Sequence, residues 1–69
     1  PLSKRESEVL QSLSQGLTRE EIAADHFISV NTVKSVIRSI YNKLDANNRA
    51  DAVSIAIAHG YIEGHNIQL

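Results

Sequence analysis

The sequence predicts an all-α domain, a four-helix bundle with helices over about residues 4–15, 19–27, 30–44 and 49–59. Three observations lead there. Ser3 with Glu6, and Thr18 with Glu21, each have the hydroxyl-x-x-Glu spacing that starts helices: the hydroxyl accepts from a backbone N–H one turn in, and the carboxylate reaches back to the cap. Val33, Ile37, Ile40 and Leu44 recur at helical spacing within one narrow stripe. No segment alternates apolar and polar residues as a half-buried strand would.

The first helix opens at the Ser3–Glu6 cap, and Val9, Leu10 and Leu13 form its buried stripe. Gln15-Gly16 ends it, with Gly16 suited to the left-handed C-terminal conformation and Leu17 dropping back onto the core. The second helix follows at once from Thr18, with Ile22 and the small Ala23 facing inward. His26-Phe27-Ile28 then links it to a third helix capped by Ser29, whose hydroxyl can accept from the N–H of Asn31 or Thr32. Two short helices joined so tightly, followed by an amphipathic third, are the helix-turn-helix arrangement, although the usual turn glycine is missing. Asp45-Ala46-Asn47-Asn48 makes a polar loop, either asparagine can cap the fourth helix, and Gly60 closes it. The domain is expected to span residues 1–62, with 63–69 a C-terminal tail.

On the fourth helix, Ala50, Val53 and Ile57 form a stripe expected to face the bundle. Ala52, Ile55, Ala56 and His59 form a second, at i, i+3, i+4 and i+7. So small a domain cannot bury both, so the second stripe is expected to pair with its counterpart in another copy. One isoleucine and a few alanines bury little area, so that homodimer should be weak in the isolated domain.

Composition bounds the function. The 69 residues allow one domain with a small core. There is no cysteine, hence no thiol nucleophile, disulfide or thiolate metal site. No nucleophile–base pairing, glycine-rich phosphate loop or metal-ligand spacing stands out, so neither an enzyme nor a cofactor or metal is expected. His26, His59 and His65 stand apart from one another. No apolar run approaches a membrane span, and the cytoplasm is the expected location. A start at Pro1 rather than Met is expected of a piece of a longer protein.

Net charge is −1, but its distribution is uneven. Residues 29–50 carry Lys34, Arg38, Lys43 and Arg49 against Asp45, a local +3, whereas the segments on either side are each −2. The outer face of the third helix presents Asn31, Lys34, Ser35, Arg38 and Asn42, with two long cations and no acid. A helix with an apolar back and a cationic, hydrogen-bonding front suits the major groove of double-stranded DNA. Lys34 and Arg38 lie one turn apart, and either can donate to guanine O6 and N7 or to a phosphate.

The runs LSKRESEVL, QGLTREEIA, FISVNTVKSVIRSIYNKL and NRADAV, in this order and at these gaps, resemble the LuxR/GerE-type DNA-binding domain found in NarL- and FixJ-type response regulators. That resemblance implies the output domain of a bacterial transcription regulator, with base contacts from Lys34, Ser35 and Arg38. It implies phosphate contacts from Thr18, Asn31, Thr32 and Lys43, pairing through the fourth helix on an inverted-repeat operator, and RNA polymerase as a candidate partner. Two positions depart from it. Asp45 stands where such domains carry Gly after the third helix, and His26 where they carry Leu. Asp45 must then tolerate a left-handed backbone, and His26 is expected to be a neutral, hydrogen-bonded core residue. Two other readings compete: a sigma-factor-like promoter-binding module, and a helical bundle that binds only protein.

Overall fold

The computed structural model describes residues 2–62. These form four helices: α1 (Lys4–Ser14), α2 (Arg19–His26), α3 (Val30–Leu44) and α4 (Arg49–Ala58). Helix α3 is the hub and packs against α1, α2 and α4, while α1 also touches α4. The core is Val9, Leu10 and Leu13 of α1, Ile22 and Ala23 of α2, Val33, Ile37 and Ile40 of α3, Ala52 and Ala56 of α4, and Ile62 beyond it.

The helix starts follow local hydrogen-bonding chemistry. Ser3 Oγ accepts from the Glu6 N–H at 3.1 Å, and the Ser3 N–H donates to Glu6 Oε1 at 2.7 Å. Thr18 and Glu21 repeat the reciprocal pair. Ser29 Oγ accepts from the Thr32 N–H, and Asn48 Oδ1 from the Asp51 N–H, which settles both cap alternatives. Each device satisfies backbone donors that the helix itself leaves unpaired.

The helix ends share one geometry. After each helix a residue takes a positive φ: Gly16 (82°), Phe27 (56°), Asp45 (55°) and Gly60 (74°). In each case the next residue donates its N–H back to a carbonyl five positions earlier: Leu17 to Ser12, Ile28 to Ala23, Ala46 to Tyr41 and Tyr61 to Ala56. These are Schellman closures, which satisfy the last carbonyls and turn the chain back towards the bundle. Leu17, Ile28 and Ala46 accordingly pack against the core. The helix-turn-helix therefore turns without glycine by placing Phe27 in the left-handed region.

Two expectations need correction. On α4 most of the assignment of faces is exchanged, although His59 of the second stripe is exposed as expected. Ala52 and Ala56, expected in a dimer interface, are fully buried within the bundle, and Ile55 beside them is half-buried. Ala50 and Ile57, expected inward, are exposed, and Val53 is half-buried. Alanines on the inner face let the α4 backbone approach its neighbours closely, so α4 packs through its small residues. His26 is half-buried at the α1–α2 seam with Nδ1 3.9 Å from Glu8 Oε1, so it faces an acid at longer than hydrogen-bond distance. The C-terminal tail expected over 63–69 lies outside the described residues.

Candidate nucleic-acid interface

Helix α3 is fixed from behind. Val33, Ile37 and Ile40 are buried and Leu44 is half-buried, so the helix cannot rotate about its axis without exposing its apolar stripe. Asn31, Thr32, Lys34, Ser35, Arg38 and Asn42 are all exposed as a result. Every base-contact residue expected from the sequence thus sits on one accessible face. Thr32 Oγ1 lies 2.9 Å from Ser29 Oγ, so the N-terminal turn of α3 is tied by its own hydroxyls.

The expected phosphate contacts divide. Thr18 is exposed at the cap of α2, and Asn31 and Thr32 at the start of α3. Helix N-termini present unpaired N–H groups and a partial positive charge, which favour an anion. Lys43 differs. Its Nζ donates to Glu6 Oε1 at 2.8 Å, and Ser39 Oγ donates to the other oxygen of the same carboxylate. Lys43 thus ties α3 to α1 while its side chain stays half-exposed. Glu6 is almost wholly buried. Its hydrogen bond from Lys43, then that from the Ser3 backbone and that from Ser39, lower its pKa from 4.5 to about 2 against the opposing effect of burial.

Sequence reasoning identified Glu6 only as a capping residue. The spacing of Ser39 and Lys43, four apart on the side of α3 turned from the cationic row, was the available signal for the rest. It also missed an open pocket of about 390 Å³ between α2 and α3, lined by Arg19, Lys34, Ile37, Arg38, Tyr41 and Asn42. No sequence pattern announces that pocket, because Arg19 and α3 meet only through the packing of two helices.

Comparison with known proteins agrees with this fold. Residues 1–56 match the model of the bacterial regulatory proteins of the luxR family (GerE). The chain is 46% identical over 61 residues to the transcriptional regulatory protein YdfI of Bacillus subtilis, covering 88% of this chain and 29% of that protein. It is 36% identical over 62 residues to the response regulator protein VraR of Staphylococcus aureus, covering 90% of this chain and 30% of the relative. Among solved structures, the response regulator ChrA of a heme-sensing two-component system superposes with a TM-score of 0.87 at 45% identity, covering 90% of this chain and 31% of that one. The phage VqmA–DPO complex superposes with a TM-score of 0.82 at 33% identity, covering 93% and 29%. The chain thus spans under a third of the length of these relatives. With the helix-turn-helix, the exposed cationic row and the family match in agreement, the chain belongs to the luxR family of bacterial regulatory proteins.

Proposed function

We propose that residues 1–62 form the DNA-binding output unit of a cytoplasmic transcription regulator, with α3 lying in the major groove. The observation that carries this reading is the exposed, acid-free row Asn31, Lys34, Ser35, Arg38 and Asn42, held outward by the buried stripe on the same helix. Lys34, Ser35 and Arg38 face base edges, and Arg38 can take guanine bidentately. Thr18, Asn31 and Thr32 hold phosphates and set the register. Lys43 is half-exposed and also holds Glu6, so a phosphate there competes with an ion pair within the domain. No described helix is long and apolar enough to cross a membrane.

The pairing surface moves with the corrected orientation of α4. Ile57 and Tyr61, 42% and 43% exposed, now form its apolar centre, flanked by Ala50, half-buried Val53 and Ser54. Two copies meeting there about a two-fold axis place two α3 helices in successive major grooves. An inverted repeat with half-sites about 10 base pairs apart follows. The contact remains small, so DNA drives the pairing by holding two copies side by side.

Selection of bound sequences from random duplexes tests the reading. Enrichment of an inverted repeat whose binding weakens with salt supports it; salt-insensitive or absent duplex binding leaves the protein-binding bundle. Co-purification with RNA polymerase core, instead of autonomous duplex binding, favours the sigma-factor-like module.

A further inference from the structure

We infer that Phe27, in the turn of the helix-turn-helix, reads a thymine at the edge of the recognised sequence by packing its ring on the C5-methyl group of that base. This rests on the DNA-binding reading and extends it to a residue outside the helix that carries that reading. Within His26-Phe27-Ile28 the flanking residues turn inward: His26 is half-buried at the α1–α2 seam, and Ile28 packs against the core. Phe27 is 94% exposed. It also holds a φ of 56°, where glycine would fit without strain. The ring adds nothing to the core and its backbone is strained, so what it contributes lies outside the domain.

Its position names the occupant. Phe27 precedes the Ser29 cap of α3 by two residues, a span of at most about 7 Å. Ser29, Asn31 and Thr32 are exposed there, so Phe27 continues the surface that α3 presents to the groove. Helices of this arrangement enter the groove with their N-terminal residues at the base edges. A phenyl ring has no hydrogen bond to offer and an electron-rich face, which suits neither a phosphate nor the polar edge of a base. The C5-methyl of thymine is the apolar group that the major groove displays, and it fits against the ring. Such a contact adds sequence preference without adding charge, unlike those of Lys34 and Arg38.

The test is equilibrium binding of the parent, Phe27→Gly and Phe27→Leu over a salt series, with helical content checked by circular dichroism. The probes are a selected duplex and copies of it carrying deoxyuridine, which lacks the methyl group, in place of each thymine in turn. Phe27→Gly should weaken the selected duplex by about tenfold, the scale of burying part of one aromatic ring. It should leave the log–log salt slope unchanged, because no cation is lost. One deoxyuridine substitution should weaken the parent by a similar factor and leave Phe27→Gly unaffected. Phe27→Leu, still apolar, should fall between the two. Parental affinity of Phe27→Gly for the selected duplex overturns the assignment, as does a changed salt slope. A loss in Phe27→Gly that persists undiminished on every deoxyuridine duplex also overturns it, since the methyl group is then not the partner. Absence of salt-dependent duplex binding by the parent removes the DNA reading and this contact with it, whereas intact parental binding with an inert Phe27 removes this contact alone.

Discussion

Glu6 serves two neighbourhoods with one carboxylate. Oε1 accepts from the Ser3 N–H and from Lys43 Nζ, while Oε2 accepts from Ser39. Because its folded pKa of about 2 lies below the ordinary 4.5, the unfolded chain binds a proton first as pH falls. The stabilisation is therefore complete above about pH 4.5 and is lost between there and about pH 2. Urea unfolding across that window should show a falling midpoint in the parent and a flatter profile in Glu6→Gln. Lys43→Ala should destabilise by about 1–3 kcal/mol at neutral pH, because it strips a buried carboxylate of its cation. Phe27 is the opposite case, a side chain that costs the fold. It is 94% exposed and holds a φ of 56°, a region that penalises residues with a Cβ by roughly 1–2 kcal/mol. Glycine there relieves that strain but loses about 0.4–1 kcal/mol through the unfolded chain. Phe27→Gly should thus raise stability by roughly 0.5–1 kcal/mol, measurable as a higher denaturant midpoint at unchanged slope. Asp45→Gly should act in the same direction and more weakly, since Asp tolerates this conformation better.

Among the elements, α4 separates what a sequence can express from what it cannot. The starts of all four helices were legible because caps are local: the hydroxyl or amide and the N–H it serves lie within one turn. The inward face of α3 was equally legible, since apolar residues occupy one side and polar ones the other. Helix α4 is apolar on two sides, so both stripes satisfy the same spacing rule. The choice fell to the fit against neighbouring helices, where Ala52 and Ala56 allow close approach and Ile57 would not. The turn at Phe27 was illegible for a similar reason, because no residue pattern distinguishes a left-handed Phe from an extended one. Two substitutions follow. Ala56→Leu should overpack the bundle and cost about 1–3 kcal/mol in urea unfolding, whereas an alanine in a solvent-facing interface would tolerate it. Ile57→Glu should leave the monomer folded and abolish cooperative occupation of two half-sites in gel-shift titrations, because it sets like charges across the two-fold axis. Unchanged cooperativity would exclude this face as the pairing surface.

For the whole molecule, the net charge of −1 and the DNA-binding reading are compatible because charge is sorted in space. Glu6 is buried against Lys43, and the capping glutamate Glu21 is turned to the backbone at the start of α2, while Arg19, Lys34 and Arg38 share one pocket. Much of this sorting was visible as a cationic third helix. The place of Arg19 beside that helix and the tie of Lys43 to Glu6 were not, because both depend on which helices touch. A face built this way predicts sequence discrimination on top of a salt-dependent attraction. The most direct measurement is the affinity of the parent, Lys34→Ala and Arg38→Ala for a selected duplex and a scrambled one over a range of salt. Each variant should lose about 1–3 kcal/mol on the selected duplex and distinctly less on the scrambled one, with folding intact. Parental affinity of both variants for the selected duplex would contradict the assignment of α3 as the helix that reads DNA.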